Sequence, residues 1–199
     1  MVSDNFKFKR GFKTESENKA ESFRKALNII PHEPLPAISL ADYLGLSIFT
    51  PSDIFKECSE ALFELNLSNE WSALTLPCQS GKSIIIHNGR HSKPRQESNL
   101  MHELAHNICG HMTSNQSTLN GIDLLLREYN EEQEKEAEWL GGCLQLPRKA
   151  LLWAINQKMN EREIAEYYNA SLVMVKFRLN ITGVKYQVNN WNSKNFKKC

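Results

Sequence analysis

No stretch of this 199-residue chain approaches the roughly 20 consecutive apolar residues a helix needs to cross a bilayer. A membrane-spanning helix is therefore excluded. The N-terminal run MVSDNFKFKRGFKTESENK is charged and lacks an apolar core of the kind an export signal carries, so the cytoplasm is the expected compartment. The five cysteines, Cys58, Cys78, Cys109, Cys143 and Cys199, are odd in number, and none forms a C-x-x-C pair. That reads as reduced thiols and not as a disulfide framework. There is no charge excess either. Lysine and arginine total 24 against 23 acidic residues, so bulk charge points to no polyanionic partner. Internal repeats and low-complexity tracts are also missing.

What remains suits one compact domain of moderate hydrophobicity. Residues 14–28 read as a helix, with Thr14 as N-cap, Glu17 completing a capping box, and Ala20, Phe23, Ala26 and Leu27 on one face. The prolines of IIPHEPLP end it. Ser39 caps a second, short helix that Gly45 stops, and LSIFT over 46–50 has strand character. Trp71 to Leu76 and SIIIH over 83–87 read as two strands joined through Gln79-Ser80-Gly81, and Asn88-Gly89 marks a further turn. A helix then opens near Pro94. Another runs from Glu131 to Leu144 and stops before Pro147. Three short helices follow, over 148–157, 161–168 and 172–179, the last capped by Ser171. The order predicts an α+β fold with a small antiparallel or mixed sheet. One domain over 1–183 is expected. Its parts are helical (9–45), sheet and active-site helices (46–147) and a helix-turn-helix-like segment (148–183). A polar tail, 184–199, completes the chain.

Within the helix after Pro94 stands His102-Glu103-Leu104-Ala105-His106, an H-E-x-x-H. Positions i and i+4 lie above one another on a helix face, so His102 and His106 can grip one ion. Glu103, about 100° around the helix from His102, reaches a water on that ion instead of the ion itself. Leu100, Met101, Leu104, Ala105 and Ile108 surround these polar groups. Two histidines and a carboxylate on an apolar helix are costly to bury without a partner, and a metal supplies one. SIIIH is expected as an edge strand beside the cleft.

A third ligand must come from elsewhere. Glu128, Glu131, Glu132, Glu134, Glu136 and Glu138 are all available, and composition does not choose between them. Spacing does narrow the field. Glu134, Ala137, Glu138, Gly141, Gly142 and Cys143 share a face whose small residues suit close packing on the motif helix. Glu134 is then the candidate ligand. Glu138, one turn on, is expected to hydrogen-bond a ligand histidine. Glu136 is expected to face water.

Three stretches together resemble the ImmA/IrrE family of zinc metallopeptidases: HELAHNICGH, EKEAEWLGGCLQLP, and the N-terminal RGFKTESENKAESFRKALNI with SLADYLGLSI. The likeness spans roughly 9–183. It implies a zincin-like, gluzincin-type peptidase with Zn2+ held by His102, His106 and Glu134, and with Glu103 as the base. Gly141, Gly142 and Gln145 depart from the residues usual in that family, away from the expected chemistry. The resemblance also implies a protein substrate, a helix-turn-helix repressor or an antitoxin-type partner, whose cleavage releases genes. An oxyanion donor is needed as well. Tyr129 and His111 are the candidates, with His111 equally readable as a structural histidine. His87 and His91 read as ordinary strand-end and loop residues. SIIIHN offers backbone groups for strand addition by an extended substrate.

A different reading rests on residues 159–184, where Ile164, Ala165, Tyr168, Leu172, Val175 and Leu179 give a helix-turn-helix cadence about Asn169-Ala170-Ser171. It makes the chain a DNA-binding or repressor-docking module with a non-catalytic metal site. Lys176 and Arg178 are the only basic residues on the would-be reader helix, which argues against direct nucleic-acid binding. A zinc-bearing adaptor without turnover is a third possibility, weakened by the presence of Glu103.

Overall fold

The computed structural model describes residues 7–54, 71–77, 83–111, 115–119, 122–126 and 130–188. Helix α1 (Phe12–Ala26) and helix α2 (Ala37–Tyr43) lead into strand β1 (Ser47–Phe49) and the short helix α3 (Pro51–Ile54). Strands β2 (Ala73–Pro77) and β3 (Ser83–His87) precede helix α4 (Lys93–Cys109). A hairpin, β4 (Asn115–Leu119) and β5 (Ile122–Leu126), separates α4 from α5 (Glu131–Gln145). The helices α6 (Arg148–Asn156), α7 (Glu161–Tyr167) and α8 (Leu172–Thr182) follow. The fold is α+β, as the sequence predicts. No described helix is long and apolar enough to cross a membrane.

The sheet is mixed and has the order β1-β3-β2. β1 runs parallel to β3 with Ile48 opposite Ile85; β2 runs antiparallel to it with Thr75 opposite Ile85. This corrects one expectation. SIIIH is the central strand, bonded on both sides, and has no free edge for a substrate. Three consecutive isoleucines, two of them buried, are the composition of a strand covered on both faces. The β4–β5 hairpin was not anticipated, and the expected turn at 79–81 lies outside the described residues.

Helix ends follow local chemistry. Pro94 sits in the first turn of α4, and Gly110, at φ 71°, ends the helix in the left-handed region that favours glycine. The Asn130 side chain accepts from the backbone N–H groups of Glu132 and Gln133 and starts α5. Asn160 and Glu163 form a capping box on α7, and Ser171 caps α8. The box expected at Thr14 and Glu17 is not formed. α1 begins two residues earlier, after Gly11, and Glu17 instead accepts from Arg178 and from the Arg148 backbone N–H at 2.9 Å. A tertiary charge partner outweighs a local cap. α2 likewise starts at Ala37, before Ser39, with the Glu97 carboxylate of α4 accepting from the Ala37 N–H.

α4 and α5 pack antiparallel at the centre. Their contact is tight at Gly141. A Cβ on Gly141 would stand 3.1 Å from the Met101 carbonyl oxygen and 3.2 Å from His102 Cα. Gly141 therefore lets the backbone of α5 approach that of the motif helix. Around this pair Leu40, Ile85, Met101, Leu104, Leu140 and Leu144 are buried, each contributing roughly 1.5–3 kcal/mol. A second core, built on Leu151, Ile164, Tyr168, Val175 and Leu179, holds α6 to α8 together. Two buried arginines join the cores at the C-terminal end of α5. Arg24 donates to the Leu144 and Gln145 carbonyls, and Arg178 to that of Leu146. Burial lowers the Arg24 pKa to about 10.

Candidate metal centre

The α4–α5 crossing brings together the residues that the two motifs single out. His102 Nε2 lies 3.0 Å from His106 Nε2 and 3.1 Å from Glu134 Oε2, and His106 Nε2 lies 3.4 Å from Glu134 Oε1. One donor atom from each residue falls within 4.8 Å of the others. The two histidines meet because one helical turn separates them. Glu134 joins them because the first turn of α5 passes their end of α4.

The donor set suits a cation. Two imidazole nitrogens presenting lone pairs at 3.0 Å repel one another unless a proton or a positive ion lies between them. Two nitrogens bound at about 2.0–2.1 Å to a tetrahedral zinc stand about 3.3 Å apart. Two neutral nitrogens and one carboxylate are a donor set that zinc accepts. Exposure is uneven across the set. The His106 side chain is 1% exposed, while those of His102 and Glu134 are 31% and 30% exposed. The ring of donors thus opens on one side, as a catalytic rather than a closed structural site requires.

Glu103 is 4% exposed, beside this opening. Its carboxylate is held by a residue that the sequence reading did not single out. Thr75 of β2 donates its hydroxyl to Glu103 Oε2 at 2.7 Å. Strand β2, not β3, is the strand that reaches the site. Thr75 is the one polar residue in the run Ala73-Leu74-Thr75-Leu76, and that interruption was the available signal.

The structure also rearranges the supporting residues. Glu138 is exposed and makes no hydrogen bond to either histidine among the described residues. Glu136, expected in water, has Oε2 3.1 Å from His111 Nε2 and is only 27% exposed. The physical reason is helical phase. α5 meets α4 along Ala137, Leu140 and Gly141, so positions 136 and 138 flank the contact on opposite sides, and His111 lies on the side of Glu136. His111 Nδ1 is in turn 2.8 Å from His106 Nδ1. Both nitrogens of His111 are engaged and its side chain is 6% exposed. Tyr129 and Glu128 lie outside the described residues. Glu131 pairs with Lys135 at 2.8 Å, and Glu132 is exposed.

His87 and His91 take no part in the site. His91 contacts Asn99 through Nδ1 at 3.3 Å. His87 ends β3, its Nδ1 buried without a partner among the described residues, and burial lowers its pKa.

Comparison with known families gives one match: residues 61–180, which include β2, α4, α5 and most of α8, fit the family model Peptidase_M78, the IrrE N-terminal-like domain. No curated protein matches the chain.

Proposed function

Because the chain belongs to the Peptidase_M78 family, whose model covers more than half of it, we propose that it is a zinc-dependent endopeptidase that cuts a transcriptional repressor or an antitoxin-type protein. The observation that carries the reading is the convergence of His102, His106 and Glu134 with the buried Glu103 beside them.

Zinc bound there would polarise the scissile carbonyl and bring the pKa of a coordinated water toward about 7. The chain's own residues do the rest. His102, His106 and Glu134 hold the ion and leave one side open. Glu103 takes the proton of the attacking water and returns it to the departing amine. Thr75 fixes the carboxylate that does so, and the apolar packing of Leu100, Met101 and Leu104 keeps the inner side dry. Tyr129 remains the candidate for the oxyanion. An extended substrate is expected along β2, the edge strand nearest Glu103, in place of the central β3.

The DNA-binding alternative loses support at α8. Arg178 is fully buried, bonded to Glu17 and to the Leu146 carbonyl, so it is not on the reader face. The outward face carries Leu172, Val173, Lys176 and Asn180. One lysine beside Leu172, Val173 and a single asparagine suits protein contact better than phosphate contact.

The test has two arms. Elemental analysis of the purified protein is expected to give about one zinc per chain. Incubation with repressor or antitoxin proteins of the same cell is expected to yield discrete fragments with wild type and none with zinc-loaded Glu103→Gln. Cleavage that persists in Glu103→Gln, or a wild type that takes up no zinc, would overturn the proposal.

A further inference from the structure

His106 is contacted through both ring nitrogens, and the two contacts differ in kind. Nε2 faces His102 and Glu134. Nδ1 faces His111 Nδ1 at 2.8 Å, and His111 Nε2 faces Glu136 Oε2 at 3.1 Å. Backbone geometry produces this chain of contacts. Gly110, at φ 71°, turns the chain back on α4, the His111 N–H bonds to the His106 carbonyl at 3.0 Å, and the two rings stand 5.0 Å apart between centroids.

The polarity of the chain follows from donor and acceptor inventory alone. A carboxylate only accepts, so His111 Nε2 carries the hydrogen that bonds to Glu136. A neutral His111 then has a bare Nδ1, which accepts. A nitrogen–nitrogen contact of 2.8 Å needs one hydrogen, and that hydrogen sits on His106 Nδ1. The lone pair of His106 is left on Nε2, aimed at the donor set. The reverse polarity would require a doubly protonated His111 or a protonated Glu136.

We infer that Glu136 and His111 form a relay that locks His106 in the tautomer able to bind a metal through Nε2. Both are positioning residues, acting through His106, and the inference rests on the metallopeptidase reading of the site. A carboxylate behind a histidine orients the ring and raises its basicity as a ligand. Here a second imidazole is interposed between carboxylate and ligand. His102, which faces solvent, has no such support from His111, so the relay stiffens the buried half of the site.

The experiment is twofold. In zinc-loaded protein labelled with 15N-histidine, long-range 1H–15N correlation spectra should show His106 protonated on Nδ1 and His111 protonated on Nε2. His106 protonated on Nε2, or His111 protonated on Nδ1, overturns the relay without any variant being made. Zinc affinity by competition with a chromophoric chelator is the second readout. His111→Ala is expected to bind about 10–100-fold more weakly. His111→Asn, whose amide oxygen stands near the former Nδ1, should recover most of that loss. Wild-type affinity in a folded His111→Ala overturns the relay and leaves the metal centre standing. A wild type that binds no zinc overturns both.

Discussion

The hydroxyl of Thr75 donates to Oε2 of Glu103 across 2.7 Å, tying strand β2 to the second residue of the H-E-x-x-H helix. A hydrogen bond to a charged group is worth roughly 1.5–3 kcal/mol, and it is made here to a carboxylate that is 4% exposed. Thr75→Val keeps the shape and deletes the donor. We expect kcat to fall by about 10–100-fold, with zinc content and KM close to wild type. A Thr75→Val enzyme that cuts at the normal rate would remove Thr75 from the machinery; Thr75→Ser should stay near wild type.

The ligand assignment separates neighbouring carboxylates on α5. His102→Ala and Glu134→Ala should each lose bound zinc in elemental analysis. Glu132→Ala and Glu138→Ala, altering exposed side chains, should keep it. Glu136→Ala should fall between, retaining zinc at saturation and losing it more readily to a chelator. Retention of zinc by Glu134→Ala would send the search for the third ligand elsewhere.

Gly141 tests the helix crossing itself. A branched side chain there meets backbone, the Met101 carbonyl and His102 Cα, which do not rotate away. Gly141→Val should cost about 1–3 kcal/mol by overpacking and displace His102 from Glu134. Thermal unfolding should show a lower midpoint, and zinc affinity should drop with it. A variant as stable as wild type with unchanged zinc binding would mean that the helices part without consequence.

Glu97 gives the stability of the fold a pH dependence of known sign. Burial raises its pKa, and its bond to the Ala37 N–H opposes that rise only in part. A carboxyl whose folded pKa lies above its unfolded value favours folding below the ordinary carboxylate range. That contribution is lost as pH rises through the folded pKa. Glu97→Gln, which still accepts from Ala37, should therefore gain on wild type in urea denaturation near pH 7. The difference should vanish near pH 4. A wild type that outperforms Glu97→Gln at neutral pH would show that the charged bond outweighs desolvation.

What the sequence made legible was local. The motif helix could be read because Pro94, the apolar flank of His102 and His106, and Gly110 all lie within one periodic segment. Glu134 could be ranked above its neighbours because Ala137 and Gly141 mark the packing face of its helix. The supporting residues were not legible, because each depends on where another element arrives. Thr75 matters only because β2 lies against α4, and β3 loses its free edge only because β1 pairs with it. Glu136 and Glu138 flank the same helix face at similar angles. The position of His111 past Gly110 decides between them, and no periodicity in α5 records that.

The two buried arginines have a further consequence for how the molecule holds its shape. Arg24 comes from α1 and Arg178 from α8, and both grip the C-terminal end of α5, whose opposite end presents Glu134. Glu17 accepts from both Arg178 and the Arg148 backbone, tying α1 to α6 and α8. α5 is thus a spindle seated in a bearing made by α1 and α8. Loss of either arginine loosens the same seat, and the carboxylate at the far tip of the spindle is what begins to wander.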